Sequence, residues 1–241
     1  MNVRLVPLLA ALLPFVAVHA TYLVAAGHGL VDWCFPYLDS CTSISATGRE
    51  PPASYLFRAT MLPSAVIMMA YWWLSYEWLR HLQRPRANAD EGAGRAADGN
   101  TASRGARWML GLGILACIGL ILYVTVLGEE GDNWARQRRI GTVLFFSFTY
   151  LSQLLLVGQL WRLRERLPGV HPGLLRAMWI LCIVLLAAGV LTVAIDAWDE
   201  MLYESVEYAF HWVLTLLLQV NFLLGYFVWR GAGWCLRVVD P

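Results

Sequence analysis

The sequence predicts an all-α polytopic membrane protein whose six transmembrane helices form one bundle. Of its 241 residues, 59% are hydrophobic and only 15% are charged, which is far less charge than a soluble domain of this size carries. The charges are gathered into clusters, and they leave apolar runs of about 20 residues between them. These runs are continuously apolar and lack the alternation of a membrane β-strand, so helices are predicted.

Six runs are long enough to cross the hydrocarbon layer as helices. In chain order they are Leu5–Ala26, Tyr55–Leu79, Trp108–Leu127, Ile140–Trp161, Leu174–Ile195 and Tyr208–Trp229. The first run follows Arg4 and has small residues near its end, as a signal peptide does, but it is too long for the apolar part of one. Tryptophans near the ends of several later runs are typical of the membrane–water interface. The chain from 1 to 241 is therefore predicted to be a single six-helix domain.

The arginines predict the orientation of the helices. The chain has no lysine, and most of its 18 arginines lie before the first span, after the second, after the fourth or after the sixth. By the positive-inside rule, both termini are expected to be cytoplasmic. Arg136, Arg138 and Arg139 fall on the opposite side, where lipid phosphate or neighbouring acids would have to explain them. The absence of lysine suggests a GC-rich bacterial genome, so we expect a bacterial inner membrane with the first loop facing the periplasm.

The segment Pro85–Gly105 is rich in Ala, Gly, Asp, Asn and Arg and is predicted to be a flexible cytoplasmic linker. Cys117, Cys182 and Cys235 are interpreted as ordinary packed or cytoplasmic cysteines. Cys34 and Cys41 both lie in the first outer loop. In an oxidising compartment they would form a disulfide, and otherwise they would be two free thiols in a packed loop.

The first loop carries the most specific pattern in the chain. After Pro36 come Ser43-Ile44-Ser45-Ala46-Thr47-Gly48, the pair Pro51-Pro52 and Tyr55-Leu56-Phe57-Arg58. Weaker patterns follow in the spans: Ala70-Tyr71-Trp72, Ile140-Gly141 with Phe145-Phe146, and Glu207-Tyr208. Together these residues resemble the FRAG/DRAM/Sfk family of membrane proteins, and the loop most resembles that of its GPI-anchor lipid-remodelling member.

The resemblance implies six helices with the first loop outside the cytoplasm, and it implies an activity on membrane lipid. In a bacterium, GPI is not the expected substrate, so a phospholipid, lipoprotein or other acylated lipid of the outer leaflet would take its place. The chain departs from the family at Arg138, where relatives often carry a histidine. A mechanism that uses that histidine does not transfer to this chain, and Arg138 becomes a candidate substrate-binding residue.

Three residues near the outer membrane surface suggest chemistry. Arg58 lies one turn inside the second span, where a charge needs a carboxylate or phosphate partner. Glu207 enters the sixth span from the same side and is the expected partner, and His211 follows it on the same helical face. The pair Glu207 and His211 could act as an oriented general base, with Arg58 binding phosphate.

Ser43 and Ser45 are the candidate nucleophiles or substrate-binding groups for acyl transfer. Each of these assignments has a structural alternative. Arg58 and Glu207 could form a salt bridge between helices, His211 could be a packing residue, and the serines could cap a turn. No compact spacing of ligands predicts a metal, and no cofactor is expected.

Three functions are compatible with these features. The first is an acyltransferase or lipid hydrolase at the outer leaflet. The second is a non-catalytic protein that binds or organises lipid, and the third is a structural partner subunit. Membrane lipid is the expected ligand in the first two. A net charge of +1 gives no indication of nucleic-acid binding, and none is expected.

Overall fold

The computed structural model describes residues 3, 5–83 and 94–234, without the side chains of residues 94–103. Its helices in chain order are α1 (Leu5–Gly27), α2 (Pro36–Asp39), α3 (Ile44–Thr47), α4 (Ala53–Gln83), α5 (Gly94–Thr125), α6 (Asp132–Arg162), α7 (Pro172–Trp198) and α8 (Glu200–Gly231). A short 3-10 turn covers Arg164–Arg166. The described residues contain no strand.

Six of the described helices are long and apolar enough to cross a membrane: α1, α4, residues 104–125 of α5, α6, α7 and α8. The predicted all-α class with six spans is therefore confirmed. The orientation of the termini stays a prediction. The predicted linker also stays one, because residues 84–93 lie outside the described residues and the chain resumes as helix at Gly94. Arg4 and Cys235 lie outside them too.

The spanning helices form a ring in which each packs against its neighbours in the order α1, α4, α5, α6, α7, α8 and back to α1. Large aromatic side chains fill the middle of this ring. Tyr71 and Trp72 of α4 lie with their ring centroids 5.0 and 5.5 Å from that of Phe222 on α8, and all three side chains are buried. The core is therefore a packed aromatic centre, and the loops at the two ends carry most of the polar groups.

The two ends of the bundle differ. We call the end formed by residues 28–52, 126–131 and 199 the loop end. We call the end formed by residues 80–83, 104–107, 162–172 and 230–234 the far end. The short helices α2 and α3 lie at the loop end and pack against α8, and α3 also packs against α1.

The acidic stretch 196–207 differs from the prediction, in which the fifth span ends at Ile195 and the sixth begins at Tyr208. It is almost entirely helical, because α7 continues to Trp198 and α8 begins at Glu200. Asp199 alone joins them, and its side chain accepts a hydrogen bond of 3.0 Å from the backbone N–H of Leu202. An aspartate at the N-cap and a glutamate in the first turn both stabilise a helix start, which explains why α8 begins so early.

Candidate functional site

The first loop is tied down at its beginning by a disulfide and a tyrosine. Cys34 and Cys41 are joined, with their Cα atoms 6.5 Å apart. The hydroxyl of Tyr22 on α1 donates to the carbonyl of Cys34 and accepts from its N–H, both at 2.8 Å. Residues 34–41 therefore form a closed loop that is held on the end of α1.

The loop then bonds to α8. The Ser40 hydroxyl oxygen accepts from the backbone N–H groups of Tyr208 and Ala209 at 3.2 and 3.3 Å. The indole N–H of Trp212 donates to the carbonyl of Thr42 at 2.9 Å, and both residues are buried. This part of the loop thus lies beside Glu207 and His211.

Tyr37 and His19 support the same contact, and neither was singled out as a site residue. The Tyr37 hydroxyl lies 2.9 Å from His19 Nε2, and its ring centroid is 5.5 Å from that of Trp212. Burial raises the pKa of Tyr37, so its hydroxyl stays protonated and is able to donate to the imidazole. The residue types gave no signal of this arrangement because the partners are 18 positions apart.

Ser43 and Ser45 lie between α8 and α5. Ser43 is the N-cap of α3, and its Oγ accepts from the N–H of Ala46 at 3.1 Å. The two hydroxyl oxygens are 2.9 Å apart, and the Ser45 side chain also interacts with that of Tyr123 on α5. The capping geometry considered as the structural alternative is therefore present, and it does not exclude a second role in contact with substrate.

The loop reaches α5 at Gly48. A β-carbon at this position would lie 2.7 Å from the ring of Phe57 and 3.1 Å from Leu127, so only glycine fits between them. Residues 40–48 consequently cross the loop end from α8 to α5, with the two serines in the middle. We call residues 40–48 the bridging segment.

Glu207 and His211 lie one turn apart on α8, as predicted. The distance from Glu207 Oε1 to His211 Nδ1 is 3.9 Å, and the side chains are 32% and 42% exposed. This is longer than a hydrogen bond, but a rotation of either side chain would close it. The carboxylate is thus in position to orient the imidazole. No hydrogen bond between His211 and either serine is present.

The expected ion pair between Arg58 and Glu207 is wrong. The Arg58 guanidinium donates instead to the backbone carbonyl of Leu127, just beyond the end of α5, and its Nε is buried without a hydrogen-bond partner. The physical reason is the ring order, which places the start of α4 beside α5 rather than α8. Carbonyl groups at the end of a helix have no intrahelical donor, so they are ready acceptors for an arginine.

Arg49 and Arg138 converge with Arg58 on the turn between α5 and α6. Arg138 donates to the carbonyl of Glu129 at 2.5 Å, and the guanidinium groups of Arg49 and Arg138 both act electrostatically on the Tyr123 hydroxyl. Gly128 in this turn has a φ of +96°, and a β-carbon there would lie 3.6 Å from a terminal nitrogen of Arg58. We call Arg49, Arg58 and Arg138 the arginine cluster.

The arginine cluster has no carboxylate within ion-pair distance among the described residues. Arg58 and Arg138 bond to backbone carbonyls, and none of the three guanidinium groups forms an ion pair with a carboxylate of the described residues. A carbonyl orients a guanidinium but does not cancel its charge. Arg49 was not among the predicted site residues, although this arginine directly follows Gly48 of the loop pattern.

Metal binding has no support from the geometry of the described residues. Within them, no three side chains of His, Cys, Asp or Glu come together as a ligand set. The chemistry available at the loop end is therefore that of guanidinium groups, hydroxyls and a carboxylate–imidazole pair.

Comparison with known proteins gives one result. The family model described as the Frag1/DRAM/Sfk1/Cwh43P N-terminal domain matches residues 2–229. No curated protein and no solved structure matches the chain. The match covers almost the whole chain, including the bridging segment, the arginine cluster and the Glu207–His211 pair, so the chain belongs to the Frag1/DRAM/Sfk1 family of integral membrane proteins.

Proposed function

We propose that this protein binds a phosphate-bearing membrane lipid at its loop end and remodels its acyl chains. The observation that carries the proposal is the uncancelled charge of the arginine cluster at the point where α4, α5 and α6 meet the loop. At the membrane surface, guanidinium groups without carboxylate partners attract phosphate, which they bind through two parallel N–H bonds. The groups that would donate hydrogen bonds to this phosphate include the Tyr123 hydroxyl and the half-buried guanidinium of Arg58.

The bridging segment connects this phosphate site to the carboxylate–imidazole pair. It contacts α8 through Ser40 and Thr42, and α5 through Ser45 and Gly48. A lipid whose phosphate lies on the arginine cluster would place its glycerol esters near the serines. The acyl carbonyl would then be within reach of either α8 or the bridging segment.

The chemistry proposed for the pair is acyl transfer or hydrolysis. His211 takes the proton of the attacking hydroxyl, from water or from Ser43 or Ser45, while the oxygen bonds to the ester carbonyl carbon. The tetrahedral intermediate collapses, the glycerol oxygen leaves with that proton, and Glu207 stabilises the imidazolium between the two steps. Where a serine attacks, water or an acceptor hydroxyl then attacks the acyl-serine carbonyl, His211 takes its proton, and the serine oxygen leaves with that proton. Because neither serine is bonded to His211, attack by a serine requires the bridging segment to move.

The proposed substrate follows from the resemblance. The loop pattern is similar to that of the second post-GPI-attachment-to-proteins factor, which acts on GPI anchors. For a bacterial chain with the loop end at the periplasmic face, we infer an acylated phospholipid or lipid-anchored molecule of the outer leaflet. The excess of arginine at the far end supports this orientation.

Acyl turnover tests the proposal. The purified protein in vesicles should exchange or release radiolabelled acyl chains of a phospholipid, and His211→Ala and Glu207→Gln should reduce the rate by at least about a hundredfold, the usual loss when a general base is removed. His81→Ala is the matched control, because His81 is exposed and lies at the far end. Wild-type turnover that persists in both variants would exclude this pair as the base.

A non-catalytic lipid-binding function is the second candidate. It is favoured by one observation, the absence of a hydrogen bond from His211 to either serine, whereas the arginine cluster is already assembled. Mass spectrometry of lipid that co-purifies with the protein separates the two functions. Retained phospholipid with no turnover in any condition would favour binding alone.

A further inference from the structure

A cleft at the far end lies away from all the groups discussed above. This cleft of about 400 Å³ opens where the end of α6, the 3-10 turn and the start of α7 meet. It is independent of the proposed function because it shares no residue with the loop end. Its lining combines two arginines, one glutamate, one tryptophan and an apolar wall.

The two arginines give the cleft an excess of positive charge. Arg164 is held in place, because it donates to the carbonyl of Trp161 at 3.1 Å and its guanidinium carbon lies 5.5 Å from the centroid of the Trp161 ring. Arg176 is exposed on the first turns of α7. Glu165 is the one carboxylate in the lining, and neither arginine forms an ion pair with it or with another described carboxylate. Both guanidinium groups therefore remain available to an anion.

The opposite wall of the cleft is apolar. Val170 and Leu175 are 6% and 2% exposed, and Pro172 begins α7 between them. A water-soluble anion such as free phosphate would gain nothing from these groups. A ligand with an anionic head and a hydrocarbon tail would bind the arginines through its head and contact the apolar residues through its tail.

The depth of the cleft in the membrane agrees with such a ligand. α6 ends at Arg162 and α7 begins at Pro172, so the cleft lies where the hydrocarbon layer gives way to headgroups. Trp161 at the rim is typical of this depth. A lipid of this leaflet reaches the cleft without leaving the bilayer.

We propose that this cleft binds an anionic glycerophospholipid of the far-end leaflet. Arg164 and Arg176 hold its phosphate, and Val170, Pro172 and Leu175 contact the upper part of its acyl chains. Glu165 opposes an anionic headgroup, but the two arginines outnumber it and leave the lining with a net positive charge, which favours a lipid of net negative charge.

Thermal unfolding of the detergent-solubilised protein tests the proposal. Three additives are compared: short-chain phosphatidylglycerol, short-chain phosphatidylcholine and glycerol 3-phosphate. We expect phosphatidylglycerol to raise the melting temperature, and to do so at concentrations at least about tenfold lower than phosphatidylcholine. Both lipids carry a phosphate, but the choline cation of phosphatidylcholine is repelled by the two arginines, whereas the glycerol headgroup of phosphatidylglycerol is neutral. Glycerol 3-phosphate should have no effect at the same concentrations. High salt should reduce the preference.

Matched variants locate the effect. Arg164→Gln with Arg176→Gln should abolish the preference for phosphatidylglycerol. Arg162→Gln with Arg230→Gln removes the same charge from exposed positions at the same end, and should keep it. All these variants are made in an Arg49→Gln/Arg138→Gln background, so that phosphatidylglycerol bound at the arginine cluster does not contribute to the measured preference.

Two results would overturn the proposal. Equal stabilisation of the wild type by phosphatidylcholine would remove the specificity for anionic headgroups. Equal stabilisation by glycerol 3-phosphate would identify a phosphate site and not a lipid site. If the Arg164→Gln/Arg176→Gln variant does not fold, Arg176→Gln alone, at an exposed position, takes its place and should weaken the preference.

Discussion

At the scale of single residues, the loop end depends on side chains that bond to backbone carbonyls. Arg58 caps the end of α5 through Leu127, and Trp212 bonds to Thr42 of the bridging segment. In both cases a side chain on a helix donates a hydrogen bond to the backbone carbonyl of a residue that is distant in the sequence. These bonds fix position in two ways: the Trp212 ring stays buried against Tyr37, whereas the carbonyl partner of Arg58 leaves the guanidinium without a carboxylate.

Replacing Arg58 tests the phosphate site directly. Arg58→Met should reduce the amount of phospholipid that co-purifies by roughly tenfold, since a charged hydrogen bond contributes about 1.5–3 kcal/mol. Arg58→Lys should retain part of the binding, because it keeps the charge but loses the planar fork. The control is Arg136→Met, which removes an exposed arginine of the same end. Equal lipid retention in all four proteins would contradict the assignment.

Replacing Trp212 tests the attachment of the bridging segment. Trp212→Phe keeps an aromatic ring but loses the N–H bond to Thr42, so we expect the segment to open more easily by about 1 kcal/mol. Hydrogen exchange in residues 40–48 should become faster. Trp73→Phe, at a side chain that is 52% exposed, should leave the exchange unchanged. Unchanged exchange in both variants would show that this bond does not hold the segment.

At the scale of helices, the crossing of α5 and α6 sets the position of the arginine cluster. Gly119 and Gly141 face each other there, and a β-carbon at Gly141 would lie 2.7 Å from the carbonyl oxygen of Gly119. Close backbone approach through small residues is a common way for membrane helices to pack. This crossing lies one turn below Arg138, so it determines how near that residue comes to Tyr123.

A small side chain at the crossing should separate the two helices. Gly141→Ala forces a shift and should destabilise the protein by about 1–3 kcal/mol, as overpacking does. Gly158→Ala on the same helix is the control, because no atom lies within 4 Å of a β-carbon there, and alanine favours helix. The melting temperature should fall for the first variant and not for the second. An unchanged melting temperature for Gly141→Ala would mean that the crossing tolerates the methyl group, and a fall of equal size in both variants would mean that the effect is not specific to the crossing.

The sequence predicted the helices better than their ends. Span number and class follow from apolar length alone, which is why all six appear in the structure. The helical ends at 196–207 were missed because a charged stretch was assumed to be a loop, whereas Asp199 and Glu200 are favourable at a helix start. The partner of Arg58 was missed for another reason. Apolar length does not reveal which helices are neighbours in the ring, and that order decides what the guanidinium meets.

At the scale of the whole molecule, the two ends present different surfaces to the membrane. The loop end combines the bridging segment with the arginine cluster, and the far end carries many more arginines and the cleft beside α7. The orientation of the protein in the membrane decides which leaflet supplies lipid to each site. It also decides whether the disulfide lies in an oxidising compartment.

Cysteine labelling determines the orientation. In a variant without native cysteines, Glu50→Cys at the loop end should react with a membrane-impermeant maleimide on intact cells, and Pro168→Cys at the far end should react only after lysis. Both positions are exposed, so differences in reactivity report the side of the membrane. The reverse labelling pattern would invert the orientation and place the proposed activity on the cytoplasmic leaflet.

The one-residue joint between α7 and α8 has a mechanical consequence. Because only Asp199 separates Trp198 from Glu200, the neighbouring helix tips cannot move further apart than about 7 Å, the reach of two consecutive Cα steps. At the other tip, α7 is attached to α6 through the longer stretch 163–171. A tilt of α7 would therefore leave its Asp199 end in place and displace its Arg176 end most. A lipid bound beside Arg176 would limit that displacement.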